Sequence, residues 1–295
     1  MSCMFKGCGT ALLTPFKGAE VDYEAYAELV ARQVVAGVDF LVPLGTTGET
    51  PTLSDSEKRR VLDVVRQHSS ALPVMVGVGS NSVSATVANI RLLSDADAFL
   101  VVVPFYNKPP QKGMYEYFKA VAESTDKPVV LYNVPGRTGA NLEAQTTLAL
   151  ARDIPNIIGI KEASSNEAQI KTILANRPQG FVVLSGNDSE TAQLMMQGAD
   201  GVISVASNIV PRLMANFIKA LECGDSELAV QMDERLQPLF NNLFVEPNPI
   251  PAKYAMAQLG LMENSLRLPL VTACKETEVI ITDTLNQLSE FYSLG

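Results

Sequence analysis

Histidine occurs once in the 295 residues, at His68, and tryptophan not at all. A single imidazole leaves serine-histidine-aspartate and cysteine-histidine mechanisms, and histidine-rich metal sites, almost nothing to work with. His68 itself closes the amphipathic segment 62–68, where a solvated residue near a helix C-terminus is the plain account. Cys3, Cys8, Cys223 and Cys274 show no short paired spacing, so no zinc knuckle, redox pair or disulfide is implied, and free thiols in a reducing compartment are expected. Positive charge is also scarce: 23 Lys and Arg against 32 Asp and Glu give a net charge of −9. That balance supplies no field to hold a phosphate backbone or an anionic lipid, so neither nucleic acid nor membrane is an expected partner. Apolar runs such as 98–103 fall far short of the roughly 20 residues of a spanning helix, and the first six residues lack the apolar region of a signal peptide, so a cytoplasmic protein is expected. No Gly-x-x-x-x-Gly-Lys occurs, and Gly77-Val78-Gly79-Ser80-Asn81-Ser82 lacks the third glycine of a dinucleotide loop. No nucleotide cofactor and no metal are expected.

What the chain has is a core. Hydrophobic residues make up 47% and charged ones 19%, which excludes disorder. Short β-branched runs at 7–13, 40–44, 74–79, 99–103, 129–132, 157–161, 182–185 and 201–204 read as strands. Helical patterns fill the intervals at 23–36, 55–67, 84–93, 112–124, 143–151, 167–175 and 190–197, with another at 212–222. Eight strand-helix units predict an α/β chain, a (β/α)8 TIM barrel, rather than an open doubly wound sheet with its smaller count and phosphate loop. Beyond residue 223 the strand pattern stops, and helices are expected near 227–242, 251–259 and 275–291. The organisation read from this is a catalytic barrel over 1–223 with a C-terminal helical extension over 224–295 packed on it, since the join carries only Gly224 and no flexible tract.

Active sites of such barrels lie at the C-terminal strand ends. Here those ends carry Gly45-Thr46-Thr47-Gly48-Glu49, Pro104-Phe105-Tyr106-Asn107, Tyr132-Asn133-Val134-Pro135-Gly136-Arg137 and Lys161-Glu162. Alternation along Ile157-Ile158-Gly159-Ile160-Lys161 sends residues 157, 159 and 161 to one side, with small Gly159 expected to leave room for the amine and a substrate. If that side is the barrel interior, burial disfavours the charged form of an amine, and a neutral amine can condense with a ketone. An isolated lysine would more simply leave the strand end and hydrate. Schiff-base chemistry also needs proton carriers, and without histidine these must be hydroxyls or carboxylates, for which Tyr132, Thr46 and Tyr106 are suitably typed. Each tyrosine alone is equally an ordinary strand-ending ring with its hydroxyl in water. Thr47, in a glycine-flanked turn, suits a carboxylate oxygen or simply makes a tight turn. Arg137 offers a bidentate fork for a second carboxylate or serves as a structural loop residue.

Gly9-Thr10-Ala11-Leu12-Leu13-Thr14-Pro15-Phe16, Gly45-Thr46-Thr47-Gly48-Glu49, Tyr132-Asn133-Val134-Pro135-Gly136-Arg137-Thr138-Gly139, Gly159-Ile160-Lys161-Glu162-Ala163 and Phe244-Val245-Glu246-Pro247-Asn248-Pro249-Ile250-Pro251 together resemble the dihydrodipicolinate synthase (4-hydroxy-tetrahydrodipicolinate synthase) family, from about residue 5 to the C-terminus. The resemblance implies condensation of pyruvate with aspartate 4-semialdehyde, in diaminopimelate and lysine biosynthesis. It implies that Lys161 forms the imine, that Tyr132 relays protons, and that Thr46 links Tyr132 to a Tyr106 contributed across a subunit interface. Thr47 would hold the pyruvate carboxylate and Arg137 that of the semialdehyde, with backbone around Gly186 and Ile203 lining the pocket. A homotetramer built as a dimer of dimers is implied as well. The positions matching the lysine-binding groups of feedback-inhibited relatives are Asp55, Lys58, Ala85 and Phe105 here, with only Asn81 kept, so weak or absent inhibition is expected. Related sugar-acid aldolases such as N-acetylneuraminate lyase share the lysine and tyrosine; Arg137 within Val-Pro-Gly-Arg-Thr-Gly distinguishes this chain from them. A catalytically silent binding barrel is the reading of another class, which the full residue set opposes.

Overall fold

The eight β-branched runs form eight parallel strands in the computed structural model, which describes residues 4–289. They are β1 (Gly7–Ala11), β2 (Phe40–Val42), β3 (Met75–Gly77), β4 (Ala98–Val102), β5 (Val129–Asn133), β6 (Ile157–Glu162), β7 (Val182–Ser185) and β8 (Gly201–Ser204). Hydrogen bonding runs in the order β2-β1-β8-β7-β6-β5-β4-β3, and a parallel bridge between Leu41 and Val74 brings the two edges together to close the barrel. Strands buried on both faces have no solvent side to encode, which is why they read as continuous apolar runs rather than as alternation.

Helices between the strands cover the outside, and local signals set their ends. The helix Tyr23–Ala36 starts where the Asp22 carboxylate accepts from the Ala25 N–H and stops where Gly37 turns into the left-handed region at φ 81°. Ser54 and Glu57 form a reciprocal capping box at the start of Asp55–His68, and half-buried His68 ends it. Two short elements have no sequence counterpart above: an antiparallel hairpin pairing Phe16–Lys17 with Glu20–Val21, and the single turn Pro135–Thr138.

Two apolar cores result. The larger lies between strands and helices. The smaller fills the barrel and includes Phe5, Phe40, Val42, Met75, Leu100, Val130, Tyr132, Leu184 and Ile203. At its N-terminal end the rings of Phe5 and Phe40 meet edge to face at 5.5 Å. Gly9 makes room for this plug, because a Cβ there would stand 2.1 Å from the Phe40 ring.

The expected alternation in β6 needs correction. The register slips between Val129 and Val130, opposite the start of β6. Ile157 therefore joins the outer core while Ile158 packs on the inner one, and residue 157 does not share the side of Lys161. A bulge adds one residue to the count and reverses the phase on one side of it. The space at Gly159 is also taken: a Cβ there would lie 2.2 Å from Cγ2 of Val182, so this glycine admits its neighbour on β7 rather than a substrate.

The C-terminal helices follow on one side. Ser226–Asn242 packs against Pro211–Cys223, and Lys275–Ser289 packs on both Ser226–Asn242 and Ile250–Gln258. Residues 290 and 291, part of the last expected helix, lie outside the described residues. Among the described residues no helix is long and apolar enough to cross a membrane.

Candidate active site

At the carboxyl end of the barrel, β5 and β6 run in register with Tyr132 directly beside Lys161. Both side chains point inward. Lys161 is 6% exposed and Tyr132 8%, and the amine nitrogen stands 4.4 Å from the centre of the tyrosine ring. An aromatic face attracts an ammonium and tolerates a neutral amine, so the pair fixes where the nitrogen sits without committing it to a carboxylate. Gly186 completes the fit: a Cβ there would lie 2.6 Å from the Ala163 Cβ and 3.1 Å from Cε of Lys161.

Outward-facing neighbours lock this arrangement. Asn133 and Glu162, one residue beyond Tyr132 and Lys161, hydrogen-bond across the two strands at 3.0 Å, and the same carboxylate accepts from the Ser164 N–H and the Gln169 amide, each at 3.0 Å. Burial pushes the Glu162 carboxyl up, and these three donors pull against it. Asp188, also buried, is raised by burial as well, opposed by the N–H groups of Val205 and Ala206, each at 2.9 Å, and by the charge of Lys161.

The inner cavity, about 50 Å³, is lined by Lys161, Tyr132, Thr46, Thr47, Arg137, Gly186 and Ile203. Seven of the eight residues singled out from sequence are thereby brought to one hollow. Tyr106 is not among them. It is 88% exposed, holds φ at +72°, and sits on the loop after β4. Among the described residues no hydrogen bond joins Thr46 to either tyrosine; its carbonyl instead accepts from the Glu49 N–H at 3.2 Å in a single 3-10 turn, and its side chain is solvent-exposed. Thr47 is buried, and its hydroxyl accepts from Nδ2 of Asn248 at 2.9 Å. Arg137, exposed at the rim, makes a long 3.5 Å contact to the Asn248 carbonyl. The cavity opens into a wider cleft of about 530 Å³, with Thr46, Tyr132, Arg137 and Asn248 common to both.

Asn248 escaped the reading of single residues. It touches both expected carboxylate-binding side chains from 201 and 111 positions away. The available signal was the spacing Pro247-Asn248-Pro249-Ile250-Pro251, a stiffened stretch with one amide side chain in it. Among the described residues no group of three or more His, Cys, Asp or Glu could hold a metal ion.

A (β/α)8 barrel with a buried lysine-tyrosine pair at the carboxyl ends of its strands, and hydroxyl and guanidinium groups around it, belongs to the class of barrels built for carbonyl chemistry on an amine. The comparisons narrow this further. The model of the dihydrodipicolinate synthetase family matches residues 4–288, and the chain belongs to that family. It is 43% identical over 293 residues to the 4-hydroxy-tetrahydrodipicolinate synthase of Thermotoga neapolitana, covering 96% of this chain and 99% of the relative. The synthase of Parabacteroides distasonis is 46% identical over 288 residues, covering 96% and 97%. The crystal structure of dihydrodipicolinate synthase from Thermotoga maritima superposes with a TM-score of 0.95 at 41% identity, covering 97% of this chain and 99% of that one.

Proposed function

We propose that this protein is a Schiff-base lyase that condenses pyruvate with L-aspartate 4-semialdehyde to 4-hydroxy-tetrahydrodipicolinate, in diaminopimelate and lysine biosynthesis. The observation that carries the reading is the Lys161 amine, buried at the barrel mouth 4.4 Å over the Tyr132 ring, in the hollow that Thr47 and Arg137 also line. The Lys161 amine attacks the keto carbon of pyruvate, and the carbinolamine loses water to give the imine. Loss of a methyl proton gives an enamine, whose carbon attacks the aldehyde. The α-amino group of the semialdehyde then attacks the imine carbon, closing the ring and releasing the lysine. Tyr132 is the acid and base of these transfers. Thr46 links it to Tyr106 of a second copy, which the outward aim of Tyr106 supports. Thr47 holds the pyruvate carboxylate; Arg137, at the rim, holds that of the semialdehyde, and Gly186 and Ile203 shape the hollow.

No cofactor or metal takes part in this scheme. The assembly is a homotetramer in the cytoplasm, where Cys8, Cys223 and Cys274 remain free. Lysine inhibits weakly or not at all: Lys58 pairs with Asp55 at 3.1 Å, and Ala85 offers no carboxylate for a lysine ammonium. A coupled assay with both substrates, with and without lysine, tests the reaction and this last point. Borohydride with pyruvate should leave a reduced three-carbon adduct on Lys161, visible by peptide mass; folded protein without that adduct would refute the imine.

A further inference from the structure

The turn that presents Thr46 and Thr47 to the hollow is gripped from the far end of the chain. Glu49 ends that turn at φ +51°, a strained conformation for a residue with a side chain. Its carboxylate is buried and does not line the inner cavity. Oε1 lies 2.5 Å from Nζ of Lys253, with both side chains fully buried, and Oε2 accepts from the Arg267 N–H at 3.1 Å. Lys253 also donates to the Ser265 carbonyl at 2.9 Å and stands 3.9 Å from the centre of the Phe16 ring. Burial pulls its ammonium down and Glu49 opposes that pull, leaving it at about 8.

Lys253 lies on the helix Ile250–Gln258, and its N–H donates to the Pro249 carbonyl at 2.9 Å. The residue before that proline is Asn248, whose amide holds the Thr47 hydroxyl. One short C-terminal segment thus seizes the turn at two points, the hydroxyl of Thr47 and the carboxylate of Glu49. A buried ion pair seldom adds net stability over apolar residues of similar volume, so stability alone is a poor account of this one. Fixing the angle of a turn is a better one.

We propose that Glu49 and Lys253 are positioning residues: their pair sets the turn that carries Thr46 and Thr47 against Lys161, and so governs how well pyruvate is captured. The proposal rests on the reading of Lys161 as the imine-forming group. The test titrates pyruvate in borohydride trapping of the full-length protein, read by intact mass, beside melting temperature and semialdehyde kinetics. It compares Lys253→Met, Glu49→Gln and the double variant.

The pyruvate concentration for half-maximal trapping should rise roughly tenfold in each variant, with the plateau kept and the half-saturating semialdehyde concentration changed less than about twofold. Melting temperature should fall in the single variants, which strand a buried charge, and recover in the double variant, which removes both. Half-maximal trapping that stays raised while melting recovers supports positioning. Recovery of both together would make the pair merely structural and overturn the proposal, as would unchanged pyruvate titrations in variants of a wild type that traps normally. If a single variant does not fold, the double variant carries the same comparison. If the wild type itself forms no adduct, the reading of Lys161 falls and takes the proposal with it; normal wild-type trapping isolates a failure to the pair.

Discussion

Tyr132 and Tyr106 are the same chemical group at the ends of adjacent strands, and the structure treats them oppositely. Tyr132 is still inside β5, hydrogen-bonded in register with Val102 on one side and Lys161 on the other, so the ladder dictates both its height and its inward direction. Tyr106 lies four residues past the end of β4, in a loop where Tyr106 and Lys108 both hold positive φ, and its ring projects outward. A strand places a side chain for the chain's own use. A strained loop that displays an aromatic ring leaves it available to something outside the chain.

That contrast can be broken by substitution. Lys161→Ala should abolish adduct formation and lower turnover by at least about a thousandfold, measured by trapping and by the coupled assay. Tyr132→Phe keeps the ring over the amine and removes only the hydroxyl, so turnover should fall roughly 10²- to 10³-fold with little change in pyruvate binding. Unchanged turnover would exclude Tyr132 from proton transfer. Arg137→Ala should raise the KM for semialdehyde roughly 10- to 100-fold, the worth of a charged hydrogen bond, while pyruvate trapping survives. Tyr106→Phe should slow the assembled enzyme by about tenfold, and mixing it with Lys161→Ala subunits should restore activity if the ring serves a neighbour's pocket. No restoration in verified mixed assemblies would return Tyr106 to its own chain.

The smallest effect concerns the periphery. The Arg267 hydrogen bond holds the Glu57 carboxyl down to about 2, from an ordinary 4.5. A carboxyl lowered in the folded state stabilises fully above its unfolded value, and that contribution disappears as pH falls through the folded one. Glu57→Gln should therefore lower the melting temperature by about 2 °C at pH 7 and by less at pH 2. An equal loss at both values would remove Glu57 from acid unfolding.

The barrel was legible because each strand is buried on both faces and each helix is not, so the chain alternates between short continuous apolar runs and amphipathic stretches. The two-residue strands at 16–17 and 20–21 are too short for any period, and Pro135-Gly136 reads as a turn although it opens a helical one. Side-chain direction was legible only where the ladder is regular: Tyr132 and Lys161 share a face as alternation requires, while the slip at Val129 and Val130 moved Ile157 off it. Most of the site was legible from residue type and strand ends. Asn248, Glu49 and Lys253 were not, because their partners lie about 200 positions away and pairing at that range leaves no mark in local sequence.

The aromatic plug of Phe5 and Phe40 makes the hollow a blind alley. Whatever reaches Lys161 must pass the threshold where Arg137 stands, and must go back the same way.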